Sequence, residues 1–152
     1  MICTFIGHRS VTENISQSLH EVLIELIETY DINVFYVGNQ GQFDMIVRGE
    51  LKKLKARYPH IICCDILAYM PPGNTKSAMS EFMELLYPDV LETTPPKFAI
   101  SKRNHWMIEH ADFVITYVKK PFGNAAKFKQ LAESKGKKII NLVEINATFI
   151  YP

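Results

Sequence analysis

Residues 33–58 read NVFYVGNQGQFDMIVRGELKKLKARY, and this stretch decides the fold. After Asn33 its next four residues, Val34 to Val37, are β-branched and aromatic, as a strand requires, and they stop at Gly38-Asn39-Gln40-Gly41-Gln42. Phe43, Ile46, Val47, Leu51, Leu54 and Tyr58 then recur at the spacing of one helix face. The unit is strand, glycine-bearing loop, amphipathic helix. Upstream, ICTFI at residues 2–6 stops at Gly7-His8-Arg9, and Ile15, Leu19, Val22, Leu23, Leu26, Ile27 and Tyr30 mark a helix that Thr12 or Asn14 can cap.

Downstream, residues 61–68 form a third strand, apolar on both faces apart from Asp65 and closed by Pro71-Pro72-Gly73. The pattern weakens up to Pro96, with a short helix predicted over 76–86 inside a long connection of the kind that is usually functional or mobile. A helix carrying Ile100, Asn104, Met107, Ile108 and Ala111 leads to a fourth strand at 113–118. A loop with Pro121 and Gly123 opens a helix ending near Lys135, with Gly136 as its C′ residue, and 138–142 is a fifth strand. The tail, residues 143–152, is apolar enough to pack but patternless. Alternating strands and helices predict one three-layer α/β domain over residues 1–152, Rossmann-like, with a mostly parallel sheet of about five strands.

Composition narrows the function classes. At 152 residues, 47% hydrophobic and 11% aromatic, the chain can bury its own core. Seventeen Lys+Arg against sixteen Asp+Glu, a formal charge of +1, supplies no global field for nucleic acid or acidic membranes. No apolar run approaches the roughly 20 residues of a membrane span, and the N-terminus turns polar too soon for a signal peptide, so the reading is cytosolic. Three cysteines, with Cys63 and Cys64 adjacent, make no disulfide framework; on a strand those two face opposite sides, and the five histidines have no zinc spacing. Neither metal nor resident cofactor is expected.

In open α/β sheets ligands bind beyond the carboxyl ends of the strands, where strand order reverses. The loops there hold Gly7-His8-Arg9, Gly38 to Asp44, and Pro121-Phe122-Gly123-Asn124. Glycine at such turns lets backbone N–H groups approach an anion beside a helix N-terminus, although a tight turn alone also explains it. No loop matches the P-loop or G-x-G-x-x-G. Arg9 can pair with phosphate, and His8 can donate to it or carry a proton. Asp44 can accept from ribose hydroxyls or simply favour its helix dipole. Arg103 should sit at the border of its helix's apolar stripe with Asn104 half-inward, and Trp106 either stacks on a base or covers the helix junction. Arg48, Lys52 and Lys55, with Lys53 and Arg57 beside them, read as a solvated basic face.

The order of these motifs carries a resemblance: G-H-R, then F-Y-V-G-N-x-G-x-F-D, then Y-P-x-x-L-E-x-x-P, then A-I-x-x-R-N-x-W-M-I-E-x-A-D-F-V-I-T-Y, then G-N-A-A-K and G-K-K-I-I-N-L, spanning residues 1–142. The chain resembles the SLOG superfamily, and within it the YpsA-like branch. The resemblance implies a Rossmann-like sheet that binds nucleotides or nucleotide-derived ligands, with Gly7, His8, Arg9, Gly38, Gly41, Asp44, Arg103, Asn104 and Gly123 at matching positions; the loop residues Asn39 and Asn124 complete the candidate ligand-binding set. Superfamily members divide into nucleotide sensors, phosphoribohydrolases and DprA-like proteins that bind single-stranded DNA. The hydrolases carry P-G-G-x-G-T with a glutamate just beyond, whereas this chain reads Pro121-Phe122-Gly123-Asn124-Ala125-Ala126. Without that glutamate, Asp44 or Glu109 would have to serve. The expectation is therefore a binding module for a ribose-phosphate ligand. Hydrolysis of an N-glycosidic bond is the second reading and single-stranded DNA binding the third. A homo-oligomer is compatible with each, and no membrane partner is expected.

Overall fold

In the computed structural model, which describes residues 1–70 and 82–144, the five apolar runs form strands and every strand pair is parallel. The elements are β1 (Ile2–Gly7), α1 (Ser16–Glu28), β2 (Val34–Val37), α2 (Gly41–Arg57), β3 (Ile62–Ile66), β4 (Met83–Leu86), α3 (Ala99–His110), β5 (Phe113–Tyr117), α4 (Asn124–Ser134) and β6 (Lys138–Asn141). Strand order is β4-β3-β2-β1-β5-β6. The fold is thus the expected Rossmann-like α/β sheet with six strands rather than about five.

The added strand corrects the helix predicted over 76–86. Met83 to Leu86 align with Cys63 to Ile66, and a parallel ladder with β3 satisfies their backbone groups at the sheet edge. Four residues are too few for a period to distinguish strand from helix. Residues 76–81 of that predicted helix, and residues 145–152 of the tail, lie outside the described residues.

Alternation along each strand builds two apolar layers. Cys3, Phe5, Phe35, Cys63 and Ile115 pack with Leu19 and Leu23 of α1 and Phe43, Val47 and Leu51 of α2. On the other face Ile6, Cys64, Ile66 and Val114 meet Met107 and Ile108 of α3 and Ala125 and Phe128 of α4. Cys63 and Cys64 therefore fall on opposite faces, as their adjacency on a strand requires. At the helix ends, Gly136 follows α4 with φ +71°, in the C′ place read for it. Ile15 rather than Thr12 or Asn14 is the N-cap of α1, and Asn14 Oδ1 accepts from the Ser16 N–H at 3.3 Å. No helix among the described residues is long and apolar enough to cross a membrane.

Strand order reverses between β1 and β5: the chain steps from β1 outward to β2 and β3, and from β5 the opposite way to β6. At that point a crevice opens at the carboxyl edge.

Candidate functional site

A cavity of about 440 Å³ occupies this crevice, walled by the end of β1 and its loop, the N-terminal turn of α2, the inner side of α3 and the first turn of α4. Of the residues singled out from sequence, Gly7, His8, Arg9, Asp44, Arg103, Asn104 and Asn124 line it. Gly38, Asn39, Gly41 and Gly123 do not; they shape the turns behind or beside it. Lys97 and Lys127 add two cations, and Ile6, Ile100, Met107 and Phe128 make one wall apolar.

Arg103 is the centre of the arrangement. The expectation of a border position is corrected: the side chain is 1% exposed, carried inward from α3 by acceptors at two strand ends. Its Nη1 donates to the carbonyl of Ile66, the last residue of β3, at 3.1 Å and to Asn39 Oδ1 after β2 at 3.4 Å, and its Nε donates to Asn104 Oδ1 at 3.1 Å. Asn104, half-buried as read, thereby finds a partner. Burial pulls the guanidinium pKa down while Asp44 and Asp65 push it back up, and a guanidinium keeps its charge under such pressures.

Asp44 is 9% exposed in the first turn of α2 and accepts from the Gln40 N–H at 2.8 Å. Desolvation raises its carboxyl pKa, opposed by that amide and by Arg103 and Arg48. Asp44 faces a cavity whose lining also carries the basic side chains of Arg9, Lys97, Arg103 and Lys127. The α4 end adds more positive potential: Gly123, its N-cap, has φ +93° and supplies no side-chain cap, and Asn124 and Ala125 of the first turn line the cavity.

The glycines divide by purpose. A Cβ on Gly7 would lie 2.3 Å from Phe43 Cδ2, so this residue is glycine to let the Phe43 ring pack rather than to admit phosphate. A Cβ on Gly41, at φ +87°, would lie 2.7 Å from Arg9 Cα; the close approach is fastened by Gln42 N–H donating to the Arg9 carbonyl at 2.8 Å. Gly38 leaves room for Asp44 Oδ2 and the Arg103 guanidinium, which a Cβ would approach to 3.0 and 3.2 Å. Around Gly123 a Cβ would meet nothing within 4 Å, so its φ alone demands glycine.

His8 accepts through Nε2 from the backbone N–H of Lys119 at 2.9 Å and of Lys120 at 3.5 Å, fastening the β1 loop to the β5 loop in the Nδ1–H tautomer. Burial and the two lysines hold its pKa below the ordinary histidine value.

Two functional-looking residues were hidden in the sequence. Arg48 is not part of a solvated face: Nε and Nη2 donate to the Gly38 carbonyl at 3.0 and 2.9 Å, and Nη2 pairs with Asp65 Oδ1 at 2.7 Å. The signal for this pair was Asp65 itself, a lone carboxylate in a strand apolar on both faces, which cannot be buried without a partner. Lys52 and Lys53 do remain exposed, and Lys55 donates to the carbonyls of Pro59 and Ile61. Trp106 has the covering role: Tyr36 stacks against it at 5.4 Å between centroids and His110 at 4.1 Å. Among the described residues no group of three His, Cys, Asp or Glu side chains is placed to hold a metal ion.

No family model matches the sequence, and no curated protein matches it. Among solved structures the chain is similar to the X-ray structure of DNA processing protein A (DprA) from Streptococcus pneumoniae, with a TM-score of 0.64 over 90% of this chain at 15% identity. The chain spans about half of that protein, 48% of its length. The likeness shows a shared Rossmann-like fold.

Proposed function

We propose that this chain is a single-domain SLOG-type module, of the YpsA-like branch, that binds a nucleotide-derived ligand at the carboxyl edge of its sheet. One observation carries the reading: the buried guanidinium of Arg103 and the uncapped start of α4 border one cavity. Burying a cation is costly, and a cavity-facing buried arginine beside open helix amides is what an anion would offset. The phosphate would lie between Arg103 and the α4 amides, with Arg9, Lys97 and Lys127 at the rim. Asp44 would accept from ribose hydroxyls, and the wall of Ile6, Ile100, Met107 and Phe128 would take the base. The volume, about 440 Å³, falls within the range of small-ligand pockets.

A second reading, hydrolysis of the N-glycosidic bond of a nucleoside monophosphate, is favoured by Asp44, whose raised pKa suits a proton carrier in a cavity. The single-stranded DNA reading draws on the name of the DprA protein, but Trp106, its expected stacking platform, is covered by Tyr36 and His110. Thermal denaturation separates the three. ADP-ribose or AMP at about 100 times its dissociation constant should add roughly 2.7 kcal/mol, a shift of about 5–10 °C for a domain of this size. Adenosine should give much less. Release of free adenine from AMP would favour the hydrolase, and a shift with oligonucleotides alone would favour the DNA reading.

A further inference from the structure

Arg48 does not border the cavity, and nothing in the proposed function uses it. Its position relative to Arg103 is nonetheless specific. Arg48 binds the Gly38 carbonyl after β2 and the Asp65 carboxylate in β3. Arg103 binds the next residue along in each case, Asn39 Oδ1 and the Ile66 carbonyl. One guanidinium arrives from α2 and the other from α3, and both grip the same two strand ends.

We propose that Arg48, with Asp65, is a positioning residue that holds the two anchors of Arg103 in register and so aims the Arg103 guanidinium into the cavity. The alternative is that the pair merely adds stability. Buried ion pairs are poor at that, since apolar residues of similar volume often do as well, whereas fixing one geometry is the use for which they are best supported. The donor pattern agrees. Two Arg48 nitrogens converge on the single Gly38 oxygen, which fixes the turn whose next residue, Asn39, accepts from Arg103; a lysine could reach Asp65 but could not hold that fork. Gly38 also stands where a Cβ would crowd both Asp44 and Arg103, so a shift of this turn reaches both cavity groups.

The inference rests on Arg103 being the ligand's anion contact, but its test does not need a ligand. In Arg48→Lys, hydrogen exchange at the Arg103 Nη1–H groups, which donate to both anchors, followed by side-chain 15N NMR, should accelerate at least about tenfold relative to exchange of the core amides. A merely stabilising Arg48 would speed both together. Where wild type binds AMP, its affinity should fall about tenfold, the scale on which losing a group that orients a charged ligand contact is felt, with adenosine binding unchanged. Should Arg48→Lys fail to fold, Asp65→Asn keeps an acceptor for Arg48 but removes the charge that holds it, weakening the same brace, and the same exchange ratio is read. Unchanged relative exchange at Arg103 in the folded variant overturns the proposal. If wild type binds no AMP, the ligand reading fails while the exchange ratio still decides the brace.

Discussion

Gly7→Ala isolates the packing role of the first loop glycine from any contact with a ligand. The new methyl would lie 2.3 Å from Phe43 Cδ2, 2.5 Å from Cγ and 3.0 Å from Cβ, all within a core ring that stacks on Tyr117 at 6.1 Å between centroids. Contacts this short cannot persist, and because Phe43 is 1% exposed its ring has no solvent to retreat into. Overpacking of that kind costs about 1–3 kcal/mol, which lowers the melting point by roughly 2–12 °C at this chain length. Urea unfolding at fixed pH measures the loss through the midpoint, with the slope unchanged if the denatured state is unaffected. The decisive control is a double-mutant cycle with Phe43→Ala, which removes the clashing Cγ and Cδ2: the pair should recover at least about 1 kcal/mol against the sum of the single changes. A loss below about 0.5 kcal/mol, or strict additivity, would refute the packing role and return Gly7 to the set of ligand-approach glycines.

Other substitutions give separate outcomes. Gly123→Ala should cost about 1–3 kcal/mol from backbone strain alone, because φ is +93° and the space around the position is open; an unchanged urea midpoint would contradict this. His8→Gln, which keeps an acceptor for the Lys119 amide, should flatten the acid side of the stability profile. With the folded pKa of His8 below 6.5, the unfolded chain binds more protons in that window, so the contribution is present above about 6.5 and is lost as pH falls through the folded value. Urea midpoints read from neutral pH downward check it, and parallel profiles for the two proteins would exclude it. Asp44→Asn retains the acceptor for Gln40 but removes a charge whose folded pKa is raised above 3.8, so wild-type stability declines as pH rises through that window while the variant's does not. The variant should be at least as stable as wild type at pH 7, and it should lose any preference for AMP over 2′-deoxy-AMP; a less stable variant with its preference intact would count against Asp44 as the ribose contact.

The sheet was legible where a glycine stopped an apolar run. At Gly7 and Gly38 the change of period from strand to helix is abrupt, which placed β1, β2 and their loops. β4 escaped because Met83 to Leu86 carry too few residues to show a period, and their strand state is set by the partner ladder on β3. For the site, residue type was readable and depth was not. Arg103 stood at the edge of an apolar stripe, and only the Ile66 carbonyl and Asn39, distant in sequence, draw it inside. Arg48 shares its helix with exposed lysines, so spacing alone made it look wet; Asp65 was the visible half of its pair. His8 was recognised as a polar group at the right strand end, but which way it hydrogen-bonds depends on the β5 loop that meets it.

A crystal structure with AMP present at saturating concentration tests the central claim most directly. The phosphate should lie in the crevice between β1 and β5, with oxygens within about 3.2 Å of an Arg103 Nη and of a first-turn amide of α4, and the ribose hydroxyls at Asp44. AMP bound elsewhere on the surface, or a cavity left empty at saturating AMP, would contradict that claim.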